Sequence, residues 1–165
     1  MASNLSRFTG GMDRVSGAVV SLGRWLALPV MTLLFIQWPL RDFVKAYSRE
    51  ANDLGQWLFA IFVAVSVTAA TRARAHLAAD AFAKRYSPDT RLRIKRVAIV
   101  FVLMPWAGFV LVTGWPLAWS SLLALESFSE TNNPGYFLIK AAVMLLALLM
   151  MIQGIVSFCS RDPGA

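Results

Sequence analysis

The sequence predicts an all-α membrane protein: four transmembrane helices, with a cytoplasmic helical connection between spans two and three. Composition and charge placement carry that prediction. Of 165 residues, 58% are hydrophobic and only 15% are charged, against about 25% charged in an ordinary soluble domain. Four apolar stretches approach or exceed the roughly 20 residues a helix needs to cross a hydrocarbon core. Lys and Arg outnumber Asp and Glu by 16 to 9, and they crowd into one connection. The length suits a single domain, residues 1–165.

The first span is read at about 23–40. Arg7 and Arg14 precede it, but the apolar run continues through Pro29 to Leu40 with no small-residue cleavage site. It is therefore expected to be retained rather than removed as a signal. Ahead of it, Leu5, Phe8, Met12, Val15, Val19 and Val20 fall on one helical face, which suggests an interfacial helix. The second span is read at 54–71, with Asn52 or Asp53 as a candidate N-cap. It must be helical despite its Val-rich stretch, because backbone polar groups in lipid are satisfied only within the segment.

The third apolar stretch runs from Val97 to Leu125, longer than one crossing requires, and its span is read at 97–119. Pro105 removes a backbone donor and crowds the preceding turn, so a kink is expected there. After Pro116 the chain is either a bent extension into the interface or one long tilted helix. The fourth span is read at 136–159. Trp25, Trp38, Trp57, Trp115 and Trp119 lie near span ends, where an indole keeps its ring buried and its N–H wet.

Between spans two and three stand Arg72, Arg74, Lys84, Arg85, Arg91, Arg93, Lys95 and Arg96. Short loops rich in Lys and Arg stay in the cytoplasm, so this connection and both termini are expected there. Residues 73–86 read as a helix leaving the membrane. Ser87-Pro88 reads as a restart, with Ser87 as N-cap and Pro88 at the first helical position. At a cytoplasmic membrane face, topology and attraction to anionic membrane lipids explain the charge, and nucleic acid is not expected as a partner.

Several chemistries are excluded by counting. The single Cys159 makes neither an internal disulfide nor a redox pair. The single His76 supplies neither two haem ligands nor a multi-His metal site. No cofactor is expected, and no loop or span gathers the groups an enzyme needs. Ion-coupled carriers usually place ionisable groups inside the membrane, where they are costly and therefore functional. No span as read here holds a deep charge. Its polar residues, among them Thr68, Thr71, Thr113 and Gln153, suit helix packing or bonding to the preceding turn. A self-sufficient carrier also tends to have inverted repeats around a midplane site, which four spans hardly build. The chain is better explained as a partner of a larger transport subunit.

Two regions remain as candidate sites. Arg72-Ala-Arg-Ala-His-Leu-Ala-Ala-Asp80 places His76 and Asp80 four apart on one helix face. Arg72, His76 and Asp80 are candidate structural or partner residues, against the plainer reading of a solvated pair among topology-setting arginines. The loop between spans one and two mixes Arg41, Asp42, Glu50 and Asp53 with aromatics. Such a surface suits docking of another protein, and it equally suits a solvated loop.

These features together resemble the small membrane subunit of tripartite ATP-independent periplasmic (TRAP) transporters, the DctQ family. That family carries, after span two, an Arg, a spacer, His, a hydrophobic residue, two spacers and Asp. Here Arg72 or Arg74, His76-Leu77 and Asp80 match it, with Ala79 where Val is common. Ser87-Pro88-Asp89-Thr90-Arg91 is similar to the family's Pro-containing turn before span three. Glu50-Ala-Asn-Asp-Leu-Gly-Gln-Trp57 is similar to its approach to span two. The resemblance implies a bacterial inner-membrane scaffold for a large permease subunit that holds the substrate and sodium sites. It also implies a periplasmic binding protein that delivers an organic acid. The alternative is a stand-alone small multi-pass carrier.

Overall fold

The computed structural model describes residues 2–43, 48–73 and 86–159. Among these, the fold is all-α without strands. Helix α1 (Ala2–Gly23) passes through a single 3-10 turn (Arg24–Leu26) into α2 (Ala27–Asp42). Helix α3 covers Arg49–Arg72, and α4 covers Pro88–Ala98. A π-helical turn (Ile99–Leu103) joins α4 to α5 (Met104–Leu123), and α6 covers Tyr136–Cys159. Four helical stretches are long and apolar enough to cross a membrane: Phe8–Pro39, Arg49–Arg72, Asp89–Leu123 and Tyr136–Cys159.

The helix starts follow local rules. Ser48, not Asn52 or Asp53, caps α3: it holds an extended backbone and its hydroxyl accepts from the Ala51 N–H at 3.2 Å. Ser87 caps α4 by accepting from the Thr90 N–H at 3.4 Å, and Pro88 takes the first helical position. The expected helix over 73–86 lies almost entirely outside the described residues.

The N-terminal segment expected as an interfacial helix is helical. It is continuous with the first span, and α1 packs lengthwise on α3 and α6. Ser16, Val20 and Gly23 are buried, while Phe8 and Val15 of the expected apolar face are 64% and 60% exposed. Small residues let two helix backbones approach closely. At Gly23 a β-carbon would collide with the Val65 side chain, so glycine is what admits α3 there.

The disturbance expected at Pro105 takes the form of the π-turn just before it. The Met104 N–H donates to the Ile99 carbonyl, five residues back. Widening the turn spares the Phe101 carbonyl a clash with the proline ring. Pro116 sits inside α5, and the helix continues beyond it to Leu123.

Span four is the hub. Helix α6 packs on α3, on α5 and on α1, while α2 packs on α3. Its Ala142, Ala147, Leu149, Gln153 and Gly154 are buried. A β-carbon at Gly154 would lie 2.7 Å from the Met104 methyl and 3.0 Å from a Leu103 methyl. The π-turn therefore seats against span four only because residue 154 has no side chain.

Candidate functional site

The buried polar side chains of the described residues are Ser16, Asp53, Thr68, Ser121 and Gln153. Asp53 and Ser121 lie at one end of the bundle. Ser16 and Gln153 lie at the other, and Thr68 stands one turn short of that end. The Thr68 hydroxyl donates back to the Ala64 carbonyl at 3.0 Å, so its bonding is local. Polar chemistry therefore concentrates toward the two ends of the helices.

At the end that holds Ser16 and Gln153, Arg72 closes α3. Its Nη1 donates to Asp13 Oδ1 at 2.7 Å, to the Asp13 carbonyl at 3.1 Å and to Gln153 Oε1 at 3.5 Å. One guanidinium thus joins α1, α3 and α6. A β-carbon at Gly17 would lie 3.3 Å from Arg72 Nη2, so the glycine leaves room for the planar group. Gln153 Nε2 also donates to Ser157 Oγ at 3.4 Å. Thr71, beside Arg72, donates to the Met150 sulfur at 3.7 Å and so adds a second tie to α6.

Of the three residues expected to act together here, Arg72 is described and fixed in place. His76 and Asp80 lie outside the described residues. Sequence reasoning missed Asp13 as the acid that meets Arg72. The available signal was that Asp13 is the sole acidic residue before Asp42. Gln153 was visible as a polar residue in an apolar span, and its packing role is of the kind expected.

At the opposite end, Asp53 is only 7% exposed. Its Oδ2 accepts from the Thr131 hydroxyl at 2.5 Å and from the Asn133 side-chain amide at 3.5 Å. It therefore ties the start of α3 to the loop between α5 and α6. In that loop Leu125 and Asn132 hold positive φ angles of 45° and 56°. The buried Phe128 meets the Tyr136 ring edge-on at 5.5 Å. Glu126 accepts from both Lys140 and Ser121. The Lys140 ammonium first, and then the Ser121 hydroxyl, hold the Glu126 carboxyl below the usual carboxylate value.

The other candidate docking residues are placed differently. Asp42 and Glu50 are exposed. The Ser48 hydroxyl donates to Glu50 Oε2 at 3.1 Å, next to the helix cap. Arg41 lies in the last turn of α2. The structure thus separates Asp53, which is turned into the bundle, from Asp42 and Glu50 on its surface.

The described residues contain no group of three or more His, Cys, Asp or Glu side chains able to hold a metal ion. Each end is clasped by charge and hydrogen bonds, and the length between is packed with apolar side chains.

A family model described as "Tripartite ATP-independent periplasmic transporters, DctQ component" matches residues 24–163. No curated protein and no solved structure matches the chain.

Proposed function

From the premise that the chain belongs to the DctQ family, the small membrane component of tripartite ATP-independent periplasmic transporters, we propose that it is the fixed scaffold of such a transporter. The substrate-carrying part is a large permease subunit that moves against it. A periplasmic binding protein delivers the substrate, an organic acid, and sodium drives uptake. The chain is a multi-pass protein of the bacterial inner membrane, with its termini and the Arg72 end in the cytoplasm. Asp42 and Glu50, with Arg41, form an outer docking surface. Asp53 supports that surface by holding the neighbouring loop. Arg72 clasps the inner end, and His76 and Asp80 extend the contact to the partner.

The observation that carries this reading is the distribution of polarity. Substrate and ion sites of carriers lie near the midplane and are lined by polar or discontinuous backbone. Here the buried polar groups of the described residues gather toward the ends, and the helices between them are closed by apolar packing. Such a bundle suits a rigid support.

Co-expression of the tagged chain with its large partner, followed by reconstitution into liposomes, tests the proposal. The chain is expected to co-purify with a larger multi-span protein. Sodium-driven organic-acid uptake is expected only when the binding protein is added. Uptake by the chain alone would overturn the scaffold reading and establish the stand-alone carrier.

A further inference from the structure

A groove runs beside the π-turn on the outer surface of span three. Ala98, Ile99, Val102, Leu103 and Trp106 line it, and its volume is about 350 Å³. Val102 and Trp106 are 66% and 45% exposed, so the groove opens away from the bundle. Every lining side chain is a hydrocarbon or an indole, which suits a lipid chain and offers little to a polar solute.

One turn before the groove stand Lys95 and Arg96, with the exposed Arg93 a turn earlier. Arg96 rests its guanidinium against Phe158 of span four, 5.9 Å from the ring centroid. Among the described residues its buried Nε has no hydrogen-bond partner. A buried guanidinium N–H without an acceptor is costly, and an anionic oxygen is its natural complement.

The spacing fits a lipid standing upright. Ala98 to Trp106 covers about 12 Å of helix at 1.5 Å per residue. Lys95 and Arg96 lie about 9–11 Å from the middle of the groove, by the same rise. The headgroup layer of a bilayer is about 5–8 Å thick on each side. An acyl chain in the groove would therefore place its phosphate beside Lys95 and Arg96, whose stems reach toward the headgroups.

We propose that the basic end of span three and the groove at its π-turn form a binding site for one anionic phospholipid. The acyl chain lies along Ala98, Ile99 and Val102. The phosphate is held by Arg96 together with Lys95. The bound lipid fills the hollow beside the π-turn, and its phosphate meets the basic end of the helix. The site rests on this chain's own residues and does not depend on the scaffold reading.

Native mass spectrometry of the full chain in mild detergent tests the site, with dioleoyl phosphatidylglycerol and dioleoyl phosphatidylcholine as probes. One equivalent of the anionic lipid is expected to bind more tightly than the zwitterionic one. Arg96→Gln should weaken the anionic lipid about five- to tenfold, and Arg96→Lys should restore most of that loss. Ala98→Phe, an exposed position whose larger side chain fills the groove, should weaken it comparably without touching the charges. Unchanged elution and circular dichroism confirm that the variants fold. Equal binding of the two lipids would overturn the proposal, as would full affinity in both Arg96→Gln and Ala98→Phe. Displacement of the lipid by millimolar inorganic phosphate would overturn the groove and leave a phosphate site only.

Discussion

Arg72 shows how one side chain can do different work from its neighbours in the same basic run. Most of the basic residues after span two were read together as topology signals. Arg72 is turned back, onto the Asp13 carboxylate, the Asp13 carbonyl and Gln153. Its side chain is 24% exposed and that of Asp13 is 45% exposed, so screening reduces the ion pair itself to about 0.2–1 kcal/mol. The remaining bonds belong to a charged donor and add to that. Arg72→Ala is expected to lower the stability of the detergent-solubilised chain by about 1–3 kcal/mol. Asp13→Asn should cost less, because the backbone carbonyl still accepts. Thermal unfolding of the two variants and their double mutant, read as a cycle, checks the coupling. Equal losses in both single variants would show that the carboxylate accounts for the whole contact.

At the scale of elements, span three and span four fit each other through two departures from ordinary helix chemistry. Pro105 forces the turn before it to widen, and Gly154 leaves the space that receives the widened turn. Proline was legible as a disturbance, but its form was not. A kink and a π-turn both relieve the same clash, and neighbouring packing decides between them. Gly154→Leu is expected to destabilise the bundle by about 1–3 kcal/mol, because the added side chain meets Leu103 and Met104 in a closed contact. A thermal-shift measurement in detergent checks this. Gly108→Ala serves as the control, since a β-carbon there would meet only the Met151 methyl, at 4.0 Å.

The whole molecule places Asp13, Arg72, Gln153 and Cys159 at one end and Asp53, Glu126 and Lys140 at the other. On the proposed orientation the first end faces the cytoplasm. Cys159 is exposed and is the single cysteine of the chain, so it reports on that assignment. In intact cells a membrane-impermeant maleimide is expected to spare Cys159. The same reagent should label a cysteine placed at the exposed Ser129 in a Cys159→Ser background. In inside-out vesicles the pattern should reverse. Labelling of Cys159 from outside intact cells would invert the orientation and, with it, the assignment of the docking surface.

Much of this was readable from residues alone. Four apolar stretches, empty of deep charge, determined the fold class, because a lipid environment leaves a chain of this composition few other ways to satisfy its backbone. Ser87 and Pro88 determined a helix start, because capping is a local matter of a few atoms. The motif around Arg72 pointed to a family that the match over residues 24–163 then showed. The contacts between spans were decided only by the tertiary structure. In a span that is apolar on every side, periodicity does not reveal which face is buried, so the hub position of span four was hidden. Asp53 looked like a surface charge, because its partners Thr131 and Asn133 lie about eighty residues away. Proximity of that kind is set by how four helices pack, and no local pattern encodes it. The polarity at the ends of the bundle was therefore visible as composition, while its pairing into two clasps came from the fold.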